Sequence, residues 1–575
     1  MKFMKFLLLE VLAITLLLFA CKKEDCTFDN PNEPRVKKNS IAQPSDGLMA
    51  LGNQLEDPYA LKNMKKAYSN LKAVNPSLPD VNIQPTHLYL RFLPSTEEEW
   101  GILKSDTSLV LYDYPLNFEI ATSGTYYHDP SLPETAITWQ YCVIPIKHSI
   151  PNVPHELLYE VYIPDDDIPN SKGSPEVSQL LLDMETESVN LTGNMPKGTL
   201  SKWTPKGTIK VWDENLTTTT YTQVFDHWEY YDCSQAAPTQ QANPAKQIMQ
   251  IAPVDPIDPT QCQEAVYRTV ATTTQGKYTP LVGASVHARW FVRIERDLTD
   301  ANGYFQTSRF RFEVNYSIKW ERADFEIRNG RIFQAWYNGP KQKGDWNLNI
   351  TGGMSRMYAI IHRAANDYYY NNTLGIQSPP QNYWYNNRLS IGTFDWEQVD
   401  SNGDTRPWQR WFGMAEIRIF KPSRTTTEIY ATTIHELAHA SHWKLVGGYS
   451  FSIALQDIVA ESWARGVQWE FTRRTYPSYQ ISYGRLNYTG IVQDMIDGFG
   501  IKGTSNWWDY SLDKWGSPAY YKSYSDLVSG YTLKQIEDAL QGQKTWNGWR
   551  DNIKNKYSNG TKNNLDAAFT YWNTK

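Results

Sequence analysis

Histidine is scarce in this chain, ten among 575 residues, and cysteine scarcer, with five. No Cys-x-x-Cys pair occurs, which excludes a cysteine-ligated zinc module. Net charge is nearly absent too. A formal charge of -6 is small for this length and no long basic block is present, which excludes nucleic acid as the main partner. Disorder is excluded by a hydrophobic content of 41%, enough to fill real cores, and the length allows about three or four domains. Aromatic residues, by contrast, are abundant: 22 Trp and 37 Tyr fit β-rich cores and surfaces exposed outside a cell, or surfaces that stack on sugars or bind peptides.

At the N-terminus, Met1-Lys2 and Lys5 precede a run from Phe6 to Ala20 that is apolar apart from Glu10 and too short for a standard spanning helix. Leu18-Phe19-Ala20-Cys21 resembles a lipoprotein signal box. The resemblance implies a signal peptide over 1–20, lipidation of Cys21 and a tether over 21–45, which is polar and unpatterned. Lys22-Lys23-Glu24-Asp25 resembles the export signal of surface lipoproteins in Bacteroidetes-type bacteria, which implies anchoring at the outer membrane, facing outward. Cys26, Cys142, Cys233 and Cys262 remain, an even number in an oxidising compartment. Cys233 and Cys262 bracket a Pro-rich stretch and can close it as a disulfide; free thiols fit equally.

Residues 46–233 read as a mostly β module. Asp57-Pro58 opens an amphipathic helix through Leu61, Met64, Tyr68 and Leu71. Strands are expected over 87–92, 109–113, 141–145 and 158–163. His155-Glu156 lies among prolines, has no second histidine, and is assigned no metal. Thr86-His-Leu-Tyr-Leu-Arg-Phe-Leu-Pro94 and Thr138-Trp-Gln-Tyr141 resemble an N-terminal region that recurs in Bacteroidetes lipoproteins and carries no known activity.

Residues 234–262 are a Pro-rich linker. Beyond it, Pro280-Leu-Val-Gly-Ala-Ser-Val286 and Thr299-Asp-Ala-Asn-Gly-Tyr-Phe305 resemble the signature of a carboxypeptidase regulatory-like domain, a prealbumin-like β-sandwich over 263–328 that acts as a spacer or stabiliser. Period-two alternation from Phe305 to Phe325 agrees with a two-faced sheet.

Residues 329–575 hold His435-Glu-Leu-Ala-His439. Thr425 and Glu428 have capping-box spacing, and Gly447-Gly448 supplies a stop, which places the motif in mid-helix. Residues four apart share a helix face, so both imidazoles can reach one Zn2+ while Glu436 projects beside them. A catalytic zinc site takes three protein ligands and an open position. Glu461, on a second helix over 453–473, is the third ligand on an argument of lengths: eight residues run from His439 to Gly447 and eight from Ile453 to Glu461. Each interval spans about 12 Å, so an antiparallel return brings Glu461 level with the histidines. His442 is the first rival, but it stands about 10 Å along the axis from His435. Asp457, one helical turn before Glu461, is the second; its alternative role, orienting a ligand histidine, ranks low.

These residues resemble the gluzincin metallopeptidases, in which His-Glu-x-x-His is followed on a second helix by a glutamate ligand. The resemblance covers about Met414 to Arg474 and implies zinc on His435, His439 and Glu461, with Glu436 as general base. The chain departs from the pattern at Arg465, four residues after Glu461, where some of these families carry an aspartate that orients a histidine. The overall architecture resembles zinc metallopeptidase lipoproteins of Bacteroidetes. The fold expected is thus multidomain α+β: a mostly β N-terminal module, a prealbumin-like sandwich, and a zincin-like domain built on an active-site helix. The activity expected is hydrolysis of extracellular proteins or glycoproteins, with Tyr449, Tyr483 and Tyr488 as candidates for the further donor an oxyanion needs. Two alternatives stand beside it: a surface adhesion or glycan- or protein-binding lipoprotein with a structural zinc helix, and metal-dependent hydrolysis of a non-peptide bond.

Overall fold

Phe310, Phe312, Val314 and Tyr316 are buried while Arg311, Glu313 and Asn315 between them are half-buried, the alternation of a strand laid against a core. The computed structural model in which this is seen describes residues 46–134, 136–164, 175–196, 200–232, 261–380, 388–396, 402–406, 416–420, 424–448, 454–479, 481, 487–497, 508–509, 514–515 and 526–573. The signal peptide, Cys21 and tether expected from the sequence lie outside these residues, as do linker positions 234–260. The fold is mixed α+β, with several sheets and ten α-helices among the described residues.

In the N-terminal region, strands Gln140–Pro145, His87–Phe92 and His155–Val161 form an antiparallel sheet in that order. His155 and Glu156 are therefore strand residues. Residues 109–113 contribute only an isolated bridge from Tyr112 to Tyr141, while Leu109 and Leu111 pack under the sheet with Leu90 and Phe92. The region is richer in helix than the sequence reading expected. Leu61–Val74 packs against Pro175–Leu191 through Met64, Leu180 and Met184, and Glu97–Ser105 starts on a Thr96–Glu99 capping box. Asp57 accepts from the Tyr59 amide at 2.8 Å, but the first of these helices begins at Leu61.

Two four-stranded sheets follow in a sandwich-like pair. One runs Trp336–Gln342, Val314–Lys319, Ser285–Trp290, Arg293–Leu298, all antiparallel. The other is centred on the first residues of the long strand Lys206–Asp232, between Tyr304–Gln306 and Leu348–Ile350, with Gln261–Pro280 as the fourth strand, also paired to Lys206–Asp232. Phe305, Tyr316 and Trp346 join the two through ring contacts. Gly303, at φ +73°, closes the turn after Asp300, where an added Cβ would lie 2.3 Å from the Ile209 carbonyl oxygen.

Asp213–Lys277 is a compact unit of its own. Its strands pair with Thr219 beside Thr273 and Gln223 beside Thr269, a descending count that makes the ribbon antiparallel. Tyr221, Phe225, Trp228, Tyr230 and Tyr267 are exposed on it.

A five-stranded sheet carries the His-Glu-x-x-His segment. Its order is Phe333–Gln334, Phe325–Asn329, Leu389–Phe394, Ile417–Phe420, Gly403–Thr405; the three central strands are parallel and both edges antiparallel. Strand Phe325–Asn329 straddles position 328/329, where the sequence reading divides sandwich from metal-binding domain. Helix Gly353–Tyr370 packs on this sheet and on the motif helix, Thr426–Leu445. A buried charge cluster ties the sheet to the N-terminal region: Lys104 lies 2.9 Å from Glu326, Lys319 and Arg388 each lie 3.1 Å from Glu321, and Arg328 pairs with Glu326.

Candidate metal centre

The motif helix begins and ends where its local chemistry dictates. Glu428 N donates to the Thr425 hydroxyl at 3.3 Å, and the Glu428 carboxylate accepts from Thr425 N at 2.8 Å. At the other end Gly447 and Gly448 take φ of +86° and +65°, and Gly448 N returns to the Trp443 carbonyl at 2.9 Å, a Schellman closure. The return helix is Asp457–Thr475, starting four residues later than the sequence reading placed it. It is antiparallel to the motif helix, because His439 meets Glu461 while His435, earlier in the chain, meets Gln468.

His435 Nε2 lies 3.1 Å from His439 Nε2, and Glu461 Oε2 lies 3.3 and 3.4 Å from those two nitrogens. Donors at about 2.0–2.1 Å from a tetrahedral ion are separated by about 3.3–3.4 Å, so this triangle fits one metal ion. Two imidazoles and a carboxylate can hold a metal here, and among the described residues this is the group of three or more histidine, cysteine, aspartate or glutamate side chains that can do so. All three are buried.

Charge within the group is divided. Burial pushes His435 down to about 4, with His439 and Arg465 adding to the shift and Glu461 opposing it, so the imidazole is neutral at neutral pH, as a metal ligand must be. Burial opposes ionisation of Glu461, but the His439 charge and hydrogen bonds from both histidines outweigh it and hold the carboxyl well below its usual range. Burial likewise lowers His439, and the Glu461 carboxylate more than reverses this.

Glu436 faces the edge strand. Thr405 Oγ1 donates to its Oε2 at 2.7 Å, and a Cβ on Gly403 would stand 3.1 Å from its Cγ and 2.8 Å from Thr432 Cγ2. A larger residue at position 403 would displace this carboxylate. Burial raises Glu436 to about 8; Asp404 and Glu461 add to that, while His439 and the Thr405 hydroxyl counter it.

The rivals fall away from the centre. His442 is fully buried, pushed by that burial down to about 3, and is outside the ligand triangle. Asp457 is exposed at the start of the return helix. The acceptor for His435 Nδ1 is Gln468 Oε1, at 3.1 Å. Neither Gln468 nor Thr405 was singled out from the sequence. For Gln468 a signal exists, since positions 461, 465 and 468 recur on one helix face; Thr405 sits on a three-residue strand with no periodicity to read. Of the three tyrosines, Tyr449 and Tyr483 lie outside the described residues, and Tyr488 has its ring centroid 6.4 Å from that of His435.

No protein-family model, curated protein or solved structure matches the chain.

Proposed function

We propose that this chain is a zinc-dependent endopeptidase of gluzincin type, carried on the outer membrane through lipid at Cys21 and acting on extracellular proteins or glycoproteins. The observation that carries the reading is the convergence of His435, His439 and Glu461 on one ion-sized triangle with Glu436 alongside. A bound Zn2+ would supply Lewis acidity, acidifying water and polarising a scissile carbonyl. His435 and His439 would hold it by Nε2 and Glu461 by Oε2. Glu436, steadied by Thr405, takes a proton from the attacking water and delivers it to the leaving amine. Tyr488, beside His435, is the candidate donor for the oxyanion. The mixed sheet with an antiparallel edge strand next to the motif helix supports a zincin-like domain. The Gly283 and Gly303 turns in the sandwich-like pair support a regulatory-type spacer.

The deciding experiment is incubation of the zinc-loaded protein with a panel of denatured proteins, read by mass spectrometry with and without chelator. Chelator-sensitive cleavage is expected, and an untouched panel would sink the reading. In the zinc-loaded protein, where a general base must be ionised, Thr405→Val removes a charge-assisted hydrogen bond to Glu436, about 1.5–3 kcal/mol. Turnover should fall by roughly 10–100-fold with zinc occupancy unchanged.

A second reading rests on the exposed Tyr221, Phe225, Trp228, Tyr230 and Tyr267 of the Asp213–Lys277 unit, which suit an adhesive or glycan-binding surface. Zinc-independent binding to glycan or protein together with no hydrolysis would favour it.

A further inference from the structure

One amide, held from two sides, stands behind His435. Gln468 is buried, its Oε1 lies 3.1 Å from His435 Nδ1 and accepts from Arg465 Nη1 at 3.0 Å, and its Nε2 donates to Tyr479 Oη at 2.9 Å. We propose that Gln468 is the positioning residue that sets the tautomer and aim of His435, and that Arg465 enforces this by fixing which end of the amide faces the ring. The inference rests on the metal-centre reading above.

A neutral imidazole binds a metal through one nitrogen only if its proton sits on the other. An acceptor at Nδ1 puts the proton there and leaves Nε2 as the donor pair. A glutamine alone is ambiguous, because turned over it would offer its NH2 to Nδ1, draw the lone pair there and leave the proton on Nε2, where it blocks the ion. Arg465 resolves the ambiguity. Its guanidinium only donates, so a turned amide would set NH2 against N–H, whereas the Tyr479 hydroxyl can accept from NH2 or donate to the oxygen and so serves either orientation. This accounts for a cation standing four residues after Glu461, where an orienting aspartate would be the direct solution. Arg465 is also held in place, with its guanidinium carbon 4.9 Å over the Tyr488 ring.

The test uses the full chain as wild type, Gln468→Met and Gln468→Glu. Each is titrated with Co2+ alone and followed by visible absorption, and the melting temperature of each is measured in the ion-free form. Gln468→Met keeps the side-chain length without an acceptor, and about 10–100-fold weaker Co2+ binding with altered bands is expected, at an unchanged ion-free melting temperature. Gln468→Glu keeps an acceptor and a partner for Arg465, and is expected to recover the affinity that Gln468→Met loses. Wild-type affinity and spectrum in Gln468→Met, or no recovery in Gln468→Glu, overturns the inference and leaves the metal centre standing. A wild-type protein that takes up no Co2+ overturns the metal centre and this inference with it. If Gln468→Met lowers the ion-free melting temperature, Arg465→Met carries the test: it leaves Gln468 in place but frees the amide to turn, so weaker Co2+ binding is expected and wild-type affinity overturns the inference.

Discussion

Glu436→Gln is expected to keep its zinc and lose about 10²–10⁴-fold in turnover, the range a positioned general base contributes. The glutamine amide can still meet the Thr405 hydroxyl, and the ligand triangle does not include position 436, so metal content by elemental analysis should match wild type. On the proposed mechanism, what disappears is the group that would carry a proton from water to amine. A stability signature accompanies this loss in ion-free protein. The Glu436 carboxyl is raised from 4.5 to about 8 in the fold, so its contribution is fully present below pH 4.5 and lost as pH climbs toward 8, while the unfolded chain gains by ionising. The glutamine variant lacks that decline. Melting curves of both ion-free proteins between pH 5 and 9, on the order of the window just named, should therefore diverge, with wild type losing more. Equal slopes would show that the Glu436 carboxylate is not held neutral.

Glu461→Ala is expected to empty the site. Loss of an outer partner of a ligand costs about 10–100-fold in affinity, and loss of the ligand itself must cost more, because two imidazoles alone make an incomplete site. Glu461 is also the anion of the triangle, held ionised against burial by both histidines. Its removal takes away a donor and the negative charge that offsets a dication. Zinc measured after dialysis should fall to background, and cleavage with it. Full zinc occupancy would instead mean that another residue supplies the third bond, and the ligand set would have to be redrawn.

Much of this centre is legible in the sequence because local rules write it. Thr425 and Glu428 announce a helix start, Gly447-Gly448 a stop, and the i, i+4 histidines a shared face; each depends on neighbours within one turn. Glu461 was reachable by counting residues out and back, and that argument tolerated the later start of the return helix at Asp457 because helix pairing sets its level. Thr405 was out of reach. Its meeting with Glu436 depends on an edge strand folding back antiparallel beside Ile417–Phe420, a tertiary event with no trace in spacing. Helix Pro175–Leu191 was missed for a different reason: its buried Leu180, Met184 and Ser188 mark a narrow stripe that a reading set on strands passed over.

The charge cluster around Lys104 bears on the order in which the chain can finish folding. Lys104 is made first, and its side chain is buried against Glu321 and Glu326, which are themselves balanced by Lys319, Arg328 and Arg388. An ammonium taken out of water before those carboxylates exist would have no counter-charge, at a cost of several kcal/mol. Burial of the Lys104 side chain therefore has to wait, with its cation solvated, until more than two hundred further residues have followed it. Docking of this side chain is timed by the arrival of a segment made much later in the chain.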